Sequence, residues 1–461
     1  MIAATYEAYQ LLHEGSVALS RVESNGIKID VEYLQGKQKE LSDEARALSN
    51  KLRESKIGKL WRKKYGARFK LAADEQLVDI LHNELGHPVM KRTAKGKPAA
   101  TEEALSHIPL KFLKAHFKLK KINKVRGTYL NGIAGYVTPD GFLRPSFNLN
   151  IARTYRSSAS GPNFQNIPIR DPIHGKTVRD CFIPREPNRC IVESDFGGIE
   201  VCVSACYHCD PVMIRYIKDK TKDMHRDMAA QCYIMKPEQV SKMARHGAKN
   251  KFVFPQFYGD FYANCATNLW NHAVELNVEV DGVSIIEHLR SQGIKSLGVF
   301  DEDADPAPGT FLHHIKEVES DFWNVRFRKY TRWKKDWWES YLRDGGFQTL
   351  TGFAYHGALT RKEVINYPVQ GSAFHCLLWS LIELQKEIRA RKMKAVIVGQ
   401  IHDSIVADVP ESELKEYTEL VYDIKVRRLP AAWKWINVPL EVEIEVAPPG
   451  LSWAHKKVYE L

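Results

Sequence analysis

The sequence predicts an α+β protein, on three observations. Residues 1–130 place apolar residues at helical spacing, and residues 221–345 are again helical in pattern and rich in aromatics. Between and after these blocks lie strand-type stretches: "RCIVESDF" at 189–196, "AVIVGQIHDSIVADVP" at 395–410 and "VPLEVEIEVAPP" at 438–449. Helical and strand-type stretches are thus combined in one chain, as in an α+β protein.

The first block opens with "YLQGKQKELSDEARALSNKLRE", apolar on one face and charged on the other. "LAADEQLVDILHNELGHPV" reads as a second amphipathic helix, stopped by Gly86 and Pro88. "TAKGKPAATEEAL" is a polar loop leading to a capping pattern at Thr101. The texture then changes. "GYVTPDGFLRPSFN" has hairpin turn chemistry at Pro139-Asp140-Gly141. "RCIVESDFGGIEVCVSA" reads as a buried strand running through two glycines into a helix, and "GVFDEDADPAPGT" is an acidic, proline-containing loop within the second helical block. No internal repeat is found.

A chain of 461 residues exceeds one core and predicts two to four subdomains. With 44% hydrophobic and 27% charged residues it has globular composition, and disorder is excluded as the default. No apolar run approaches membrane-spanning length. "MIAATYEAYQLLHEG" carries acids and lacks the basic start of a secretory signal, so a cytoplasmic protein is expected. A formal charge of +11 points to a polyanionic partner. The charge is concentrated: residues 51–70 hold nine basic residues and one acid, and residues 111–126 hold seven and none. With Trp61, Phe112 and Phe117 interleaved, these runs suit a phosphate-tracking surface, the alternative being solvated helix faces. Cys202, Cys206, His208 and Cys209 fall close together. A zinc site is one reading, and reduced thiols on a packed helix face the other, since paired CxxC spacing is missing.

Four constellations carry chemistry. Asp403 lies inside the apolar stretch 395–410, where a bare carboxylate is costly unless paired, hydrogen-bonded or metal-bound. A capping role in a hairpin is the plain alternative. Asp195 ends a second apolar run, before Gly197-Gly198, where a ligand can approach the backbone. Two aspartates on neighbouring strands can bridge two divalent ions and support in-line phosphoryl transfer. "ARHGAKNKFVFPQFYGD" puts Arg245 and Lys249 on one helical face, able to hold a triphosphate, followed by aromatics that offer surfaces for base and sugar. "RTYRSSASGPNFQNIP" is an amide- and hydroxyl-rich loop suited to phosphates, sugars and base edges.

At these residues the chain resembles family A DNA polymerases, the DNA polymerase I group, in particular its phage-type members. "RSSASGPNFQNIP", "DFGGIE", "DMHRDMA", "RHGAK…FYG", "INYPVQGSA" and "QIHDS" match the family's motifs in order, and "LAADEQLVDIL" with "HPVMKRTAKGKPAATEEAL" looks like its thumb. The resemblance covers nearly the whole chain. It implies a right-hand polymerase fold: a helical thumb over 1–130, a palm around an antiparallel sheet from 131–215 and 346–461, and helical fingers over 216–345. It implies that Asp195, Asp403 and the backbone carbonyl of Phe196 bind two Mg2+ ions, for which Mn2+ can substitute. Glu200 would exclude a 2′-hydroxyl, His225, Arg245 and Lys249 would grip the incoming dNTP, and Tyr258 would stack beside the templating base. Arg156, Asn163, Gln165, Asn366, Gln370 and His402 would contact primer–template DNA, with Lys121, Lys124 and Arg126 as thumb contacts.

The chain departs from the family pattern at three places. Cys202 stands where relatives carry arginine, so a structural cation is lost. Ser404 stands where many carry a second acid. The helix from Arg245 to Tyr258 has one extra residue and carries Pro255, which should kink it and which a π-bulge could absorb. The sugar-facing residue is then Phe254 or Val253, with Phe254 favoured because it lies one turn before Tyr258. The thumb-like region begins so early that no room remains for a proofreading exonuclease. The expectation is a monomeric DNA-templated DNA polymerase without proofreading, leaving that activity and processivity to separate proteins, in the cytoplasm of a bacterium or a phage-infected host. Ser404 keeps a single-subunit RNA polymerase as an alternative, and Cys202 with the altered helix keeps a DNA-binding accessory protein that has lost catalysis.

Overall fold

The computed structural model describes residues 1–93, 95–168 and 174–461, so the loop expected from Thr93 is described apart from Ala94. The chain begins with α1 (Tyr6–Asn25), capped by the Thr5 side chain, which accepts from the Ala8 amide. Then follow α2 (Val31–Glu54), α3 (Lys56–Tyr65), the short α4 (Asp74–Asp79) continued by a π turn to Glu84, and α5 (Lys111–Lys124). Within the stretch expected as one helical unit the structure separates two roles. Helices α2, α3 and α5 pack together around Trp61, Phe112 and Phe117. Helix α1 instead lies against a long helix and a strand from the far end of the sequence, and Gln385 donates to its Ala18 carbonyl. The expected turn at 139–141 forms, with Gly141 at φ +82° and the Thr138 amide donating to the Phe142 carbonyl at 2.8 Å.

Strand β1 (Arg189–Phe196) follows, then α6 (Ile199–His208), α7 (Met224–Cys232) and α8 (Lys242–Ala248). A π turn (Lys249–Val253) joins α8 to α9 (Phe254–Phe257), so the extra residue is absorbed as a π-bulge just before Pro255. Helices α10 (Tyr262–Glu275), α11 (Phe311–Asp321) and α12 (Arg328–Asp344) complete this helical region. The 30-residue α13 (Arg361–Ala390) opens with a reciprocal Thr360–Glu363 capping box and is buried around most of its girth, as an apolar helix at the centre of a fold should be. Last come β2 (Val396–Ile401), β3 (Ser404–Pro410), α14 (Leu414–Tyr422) with a π turn over Asp423–Arg428, β4 (Val442–Val446) and β5 (Lys457–Val458).

The five-stranded sheet has the order β2-β3-β1-β4-β5, each pair antiparallel. Strands separated by about half the chain are therefore neighbours. β1 sits in the middle and is buried at nearly every position, which explains its continuous Cys190, Ile191, Val192 run. Two of its three charges are paired. Glu193 accepts from the Trp453 indole at 2.8 Å and Lys456 at 2.7 Å, and Arg189 pairs with Asp408 of β3. These are closed structural pairs with no free valence for chemistry.

Candidate active site

The register of the sheet brings the two aspartates together. Asp195 is paired with Ser404 on one side and with Glu443 on the other, and Asp403 occupies the β2–β3 turn one residue before Ser404. The Phe196 amide faces the Asp403 carbonyl at 3.4 Å. Because side chains alternate across a strand, the row Ser404–Asp195–Glu443 faces one side of the sheet, while Ser194 and Phe196 face the other.

The turn itself is held in an unusual shape. His402 has φ +48°, a left-handed conformation costing about 1–2 kcal/mol in a non-glycine residue. The buried Gln400 stabilises it by donating through Nε2 to the His402 carbonyl at 2.7 Å. Gln400 Oε1 in turn accepts from Ser157 Oγ at 2.7 Å and Gln165 Nε2 at 2.8 Å, tying the turn to the amide-rich loop. β2 bulges between Ile397 and Gly399, and a Cβ on Gly399 would stand 2.4 Å from the Phe164 ring. Glycine is required there by that close approach.

The electrostatics follow from burial and neighbours. Surrounding protein raises the Asp195 carboxyl; Lys425 opposes this and Asp403 adds to it. Burial likewise raises Asp403, with Arg156 opposing. Lys425, 1% exposed, comes from the π turn after α14 and lies under the sheet. Burial lowers its ammonium from the ordinary range, and Asp195, Asp403 and Glu193 hold it up. Like charges close together favour proton or cation uptake, so the pair suits a divalent ion.

The opposite wall is built from α6–α9. Asp223 caps α7, accepting from the His225 and Arg226 amides, and also accepts from Arg245 Nε at 2.5 Å. Burial would raise the Asp223 carboxyl, and Arg245 outweighs it. His225 packs edge-on against Phe254 with ring centres 5.7 Å apart, and burial, then Lys249 and Arg245, push it down to about 4. Lys249 Nζ stands 5.3 Å from the Phe254 ring centre. At the π turn Val253 is fully buried, while Phe254 lines a cavity of about 480 Å³. Glu200, Tyr258, Arg156, Asn366, Gln370, His402 and Asp403 share that cavity. Across its floor Tyr258 Oη donates to Glu200 Oε2 at 2.7 Å, and Arg156 pairs with the same carboxylate. Asp403, next to Asp195, thus lines an aromatic-walled cavity, and Lys249 and His225 flank the Phe254 ring that borders it.

Other expected positions lie elsewhere. Asn163 is exposed on the loop before Phe164. Lys121 pairs with Glu102, Lys124 is exposed, and Arg126 donates to Ser42, so these three sit on the α2–α5 unit, away from the cavity. Cys202, Cys206 and Cys209 are free thiols. Cys202 Sγ points to the Pro439 carbonyl, and His208 Nδ1 accepts from the Asp210 amide. The zinc reading is corrected on this geometry: among the described residues no three or more His, Cys, Asp or Glu side chains gather as metal ligands. Sequence reasoning missed Gln400, Asp223 and Lys425. Gln400 and Asp223 lie within the quoted motifs; Lys425 lies outside them.

A family model described as DNA polymerase family A matches residues 32–275 and 352–455. DNA polymerase I of Bacillus subtilis is 25% identical over 454 residues, covering 96% of this chain and 45% of that protein. A thermostable DNA polymerase I of Thermus thermophilus is 28% identical over 464 residues, covering 96% and 48%. The chain thus spans about half the length of the curated relatives it matches. Among solved structures, the POL domain of Pol1 from M. smegmatis, in complex with DNA primer-template and dNTP, matches with a TM-score of 0.73 at 22% identity, over 96% of this chain and 70% of that one.

Proposed function

Since the chain belongs to DNA polymerase family A and has its right-hand fold, we propose that it extends the 3′-hydroxyl of a DNA primer with dNTPs on a DNA template. The observation that carries this reading is the meeting of Asp195 and Asp403 on adjacent strand ends, with Asp403 lining a cavity whose Phe254 ring has Lys249 beside it. We take α2–α5 as the thumb, the sheet with α1, α6 and α13 as the palm, and α7–α12 as the fingers.

The donor set fits Mg2+. Two carboxylates and the Phe196 carbonyl offer hard oxygen ligands, and the paucity of further side-chain ligands among the described residues leaves positions for phosphate oxygens and water, as Mg2+ prefers. Bound divalent ions would make the primer hydroxyl a better nucleophile and offset charge on the phosphates. The chain's own residues do the rest. Arg245 and Lys249 bind the triphosphate, for which Arg245 exchanges its contact with Asp223. His225, held largely neutral by its surroundings, donates a hydrogen bond rather than a full charge. Glu200, held on the cavity wall by Tyr258 and Arg156, would be the side chain that excludes a 2′-hydroxyl. The Gln400 network fixes the turn so that Asp403 is oriented before substrate arrives. Arg156, Asn366, Gln370 and His402, which line the cavity, are the DNA contacts nearest the reacting atoms. Ser404 Oγ is used locally, donating to the Ile401 carbonyl at 3.0 Å.

The test is primer extension with Asp403→Ala alongside the unaltered chain. Loss of at least about 1,000-fold in rate with primer–template affinity retained is expected, since the chemical step and not binding depends on the pair. Undiminished extension rejects the mechanism, and preferential use of rNTPs rejects the assignment as a DNA polymerase.

A further inference from the structure

Lys425 has no part in the mechanism above, yet its place in the fold is costly. A fully buried ammonium requires compensation in hydrogen bonds and opposite charge. Its Nζ donates to the Ser194 carbonyl at 2.7 Å and stands 4.5 Å from the centre of the Phe196 ring. These are the residues immediately before and after Asp195. Strand alternation turns Ser194 and Phe196 toward the underside of the sheet, where α14 and its π turn pack, and turns Asp195 to the cavity side. One ammonium thus grips both neighbours of the same aspartate from behind. The carboxylates facing it are Asp195, Asp403 and Glu193. Glu193 is already paired with Lys456 and the Trp453 indole. Asp403 also has the Arg156 guanidinium close by, so the carboxylate that depends chiefly on Lys425 for a matching charge is Asp195. At the start of α6, where the family resemblance points to an arginine in relatives, Cys202 is a neutral buried thiol bonded to the Pro439 carbonyl. The cation under β1 comes from a different element.

We propose that Lys425 is a positioning residue for the Asp195–Asp403 pair: it clamps the end of β1 through Ser194 and Phe196 and supplies a fixed positive charge beneath the two carboxylates. The inference rests on reading that pair as the reactive centre. Before a divalent ion arrives, the ammonium offsets the repulsion between the carboxylates. Once an ion arrives, the same charge opposes it by Coulomb repulsion, so the site trades ion affinity for a fixed geometry.

The experiment compares the unaltered chain with Lys425→Met, which removes charge and donor, and Lys425→Gln, which removes the charge but keeps a donor for the Ser194 carbonyl. Single-turnover extension at pH 6.5, where burial still leaves the Lys425 ammonium mostly charged, is measured against dNTP and against Mg2+, with primer–template affinity and thermal unfolding in parallel. The expected result is a Mg2+ midpoint lowered at least threefold in both variants, because both lose the opposing charge. The maximal rate falls at least tenfold in Lys425→Met and less in Lys425→Gln, with primer–template affinity within twofold. A reduced rate with an unmoved Mg2+ midpoint makes Lys425 a scaffold residue and overturns the proposal, as does an unchanged rate in both. If Lys425→Met does not fold, Lys425→Gln decides alone. Failure of both to fold also overturns the proposal, since the lysine is then required for the core itself. Lack of extension by the unaltered chain would reject the polymerase reading, an outcome separate from all of these.

Discussion

Replacing Gln400 with alanine should slow catalysis, although Gln400 itself is buried and meets no substrate. Gln400 is 1% exposed and makes three hydrogen bonds: to the His402 carbonyl at 2.7 Å, from Ser157 Oγ at 2.7 Å and from Gln165 Nε2 at 2.8 Å. At about 1 kcal/mol net for each, the loss approaches 3 kcal/mol. Gln165 keeps its bond to Ser157 Oγ at 2.8 Å, which lowers the figure to about 2–3 kcal/mol. For a chain of 461 residues, an unfolding entropy of about 2.1 cal/mol/K per residue gives roughly 1 kcal/mol per degree, so Tm should fall by only about 2–3 °C. The larger effect is local. Without the Gln400 amide, nothing offsets the left-handed strain at His402, and the turn carrying Asp403 relaxes. Misplacing a reacting group by about 1 Å costs on the order of 100-fold in rate. Rapid-quench single-turnover extension should therefore show a rate lowered about 30- to 100-fold, with primer–template affinity nearly unchanged. A Gln400→Ala enzyme that keeps its single-turnover rate while losing the expected 2–3 °C in Tm would refute the idea that this network positions Asp403.

Two further outcomes follow from named contacts. Glu200→Ala should raise the ratio of rNTP to dNTP incorporation at least about tenfold, because about 1.4 kcal/mol of exclusion is the least a removed side chain at a sugar-facing wall should release; competitive extension with mixed nucleotides measures it. His116, wedged among Trp61, Phe112 and Phe117, has both ring nitrogens unpartnered among the described residues, and burial pushes it down to about 4. A histidine depressed in the folded state contributes stability above its unfolded pKa of about 6.5, and that contribution is lost as pH falls toward about 4. His116→Phe should remove up to about 3 kcal/mol of this acid sensitivity, read as a flatter profile of Tm between pH 7 and pH 4. An unaltered slope would place the sensitivity elsewhere.

The parts of the site that were legible in the sequence were those whose function forces a local pattern. Asp195 and Asp403 stood out because a carboxylate amid β-branched residues needs a partner, and the structure puts the two on adjacent strand ends. The π turn before Pro255 was legible because an added residue inside a helix has few ways to be accommodated. What escaped was decided by contacts across the chain. Gln400 matters through Ser157 and Gln165, more than 230 positions away. Lys425 sits in "DIKVRR", where no sequence pattern sets it apart from Arg427 and Arg428; only the tertiary contact of the π turn after α14 with Ser194 and Phe196 buries it. Helix α1 has the amphipathic pattern of its neighbours, and periodicity does not say which apolar surface a helix will meet. The basic run containing Lys121 was read by composition, which is blind to Glu102 across the gap.

Tyr258 has a consequence for how the cavity admits a guest. Its hydroxyl and the Arg156 guanidinium both rest on Glu200, so the chain itself already occupies the polar floor of the site. An incoming molecule does not meet empty space; it meets an intramolecular competitor tethered at the end of α9. Binding is an exchange, and only the difference between new contacts and the Tyr258–Glu200 contact counts toward residence. The strength of that internal contact sets a threshold that any guest of the cavity has to exceed.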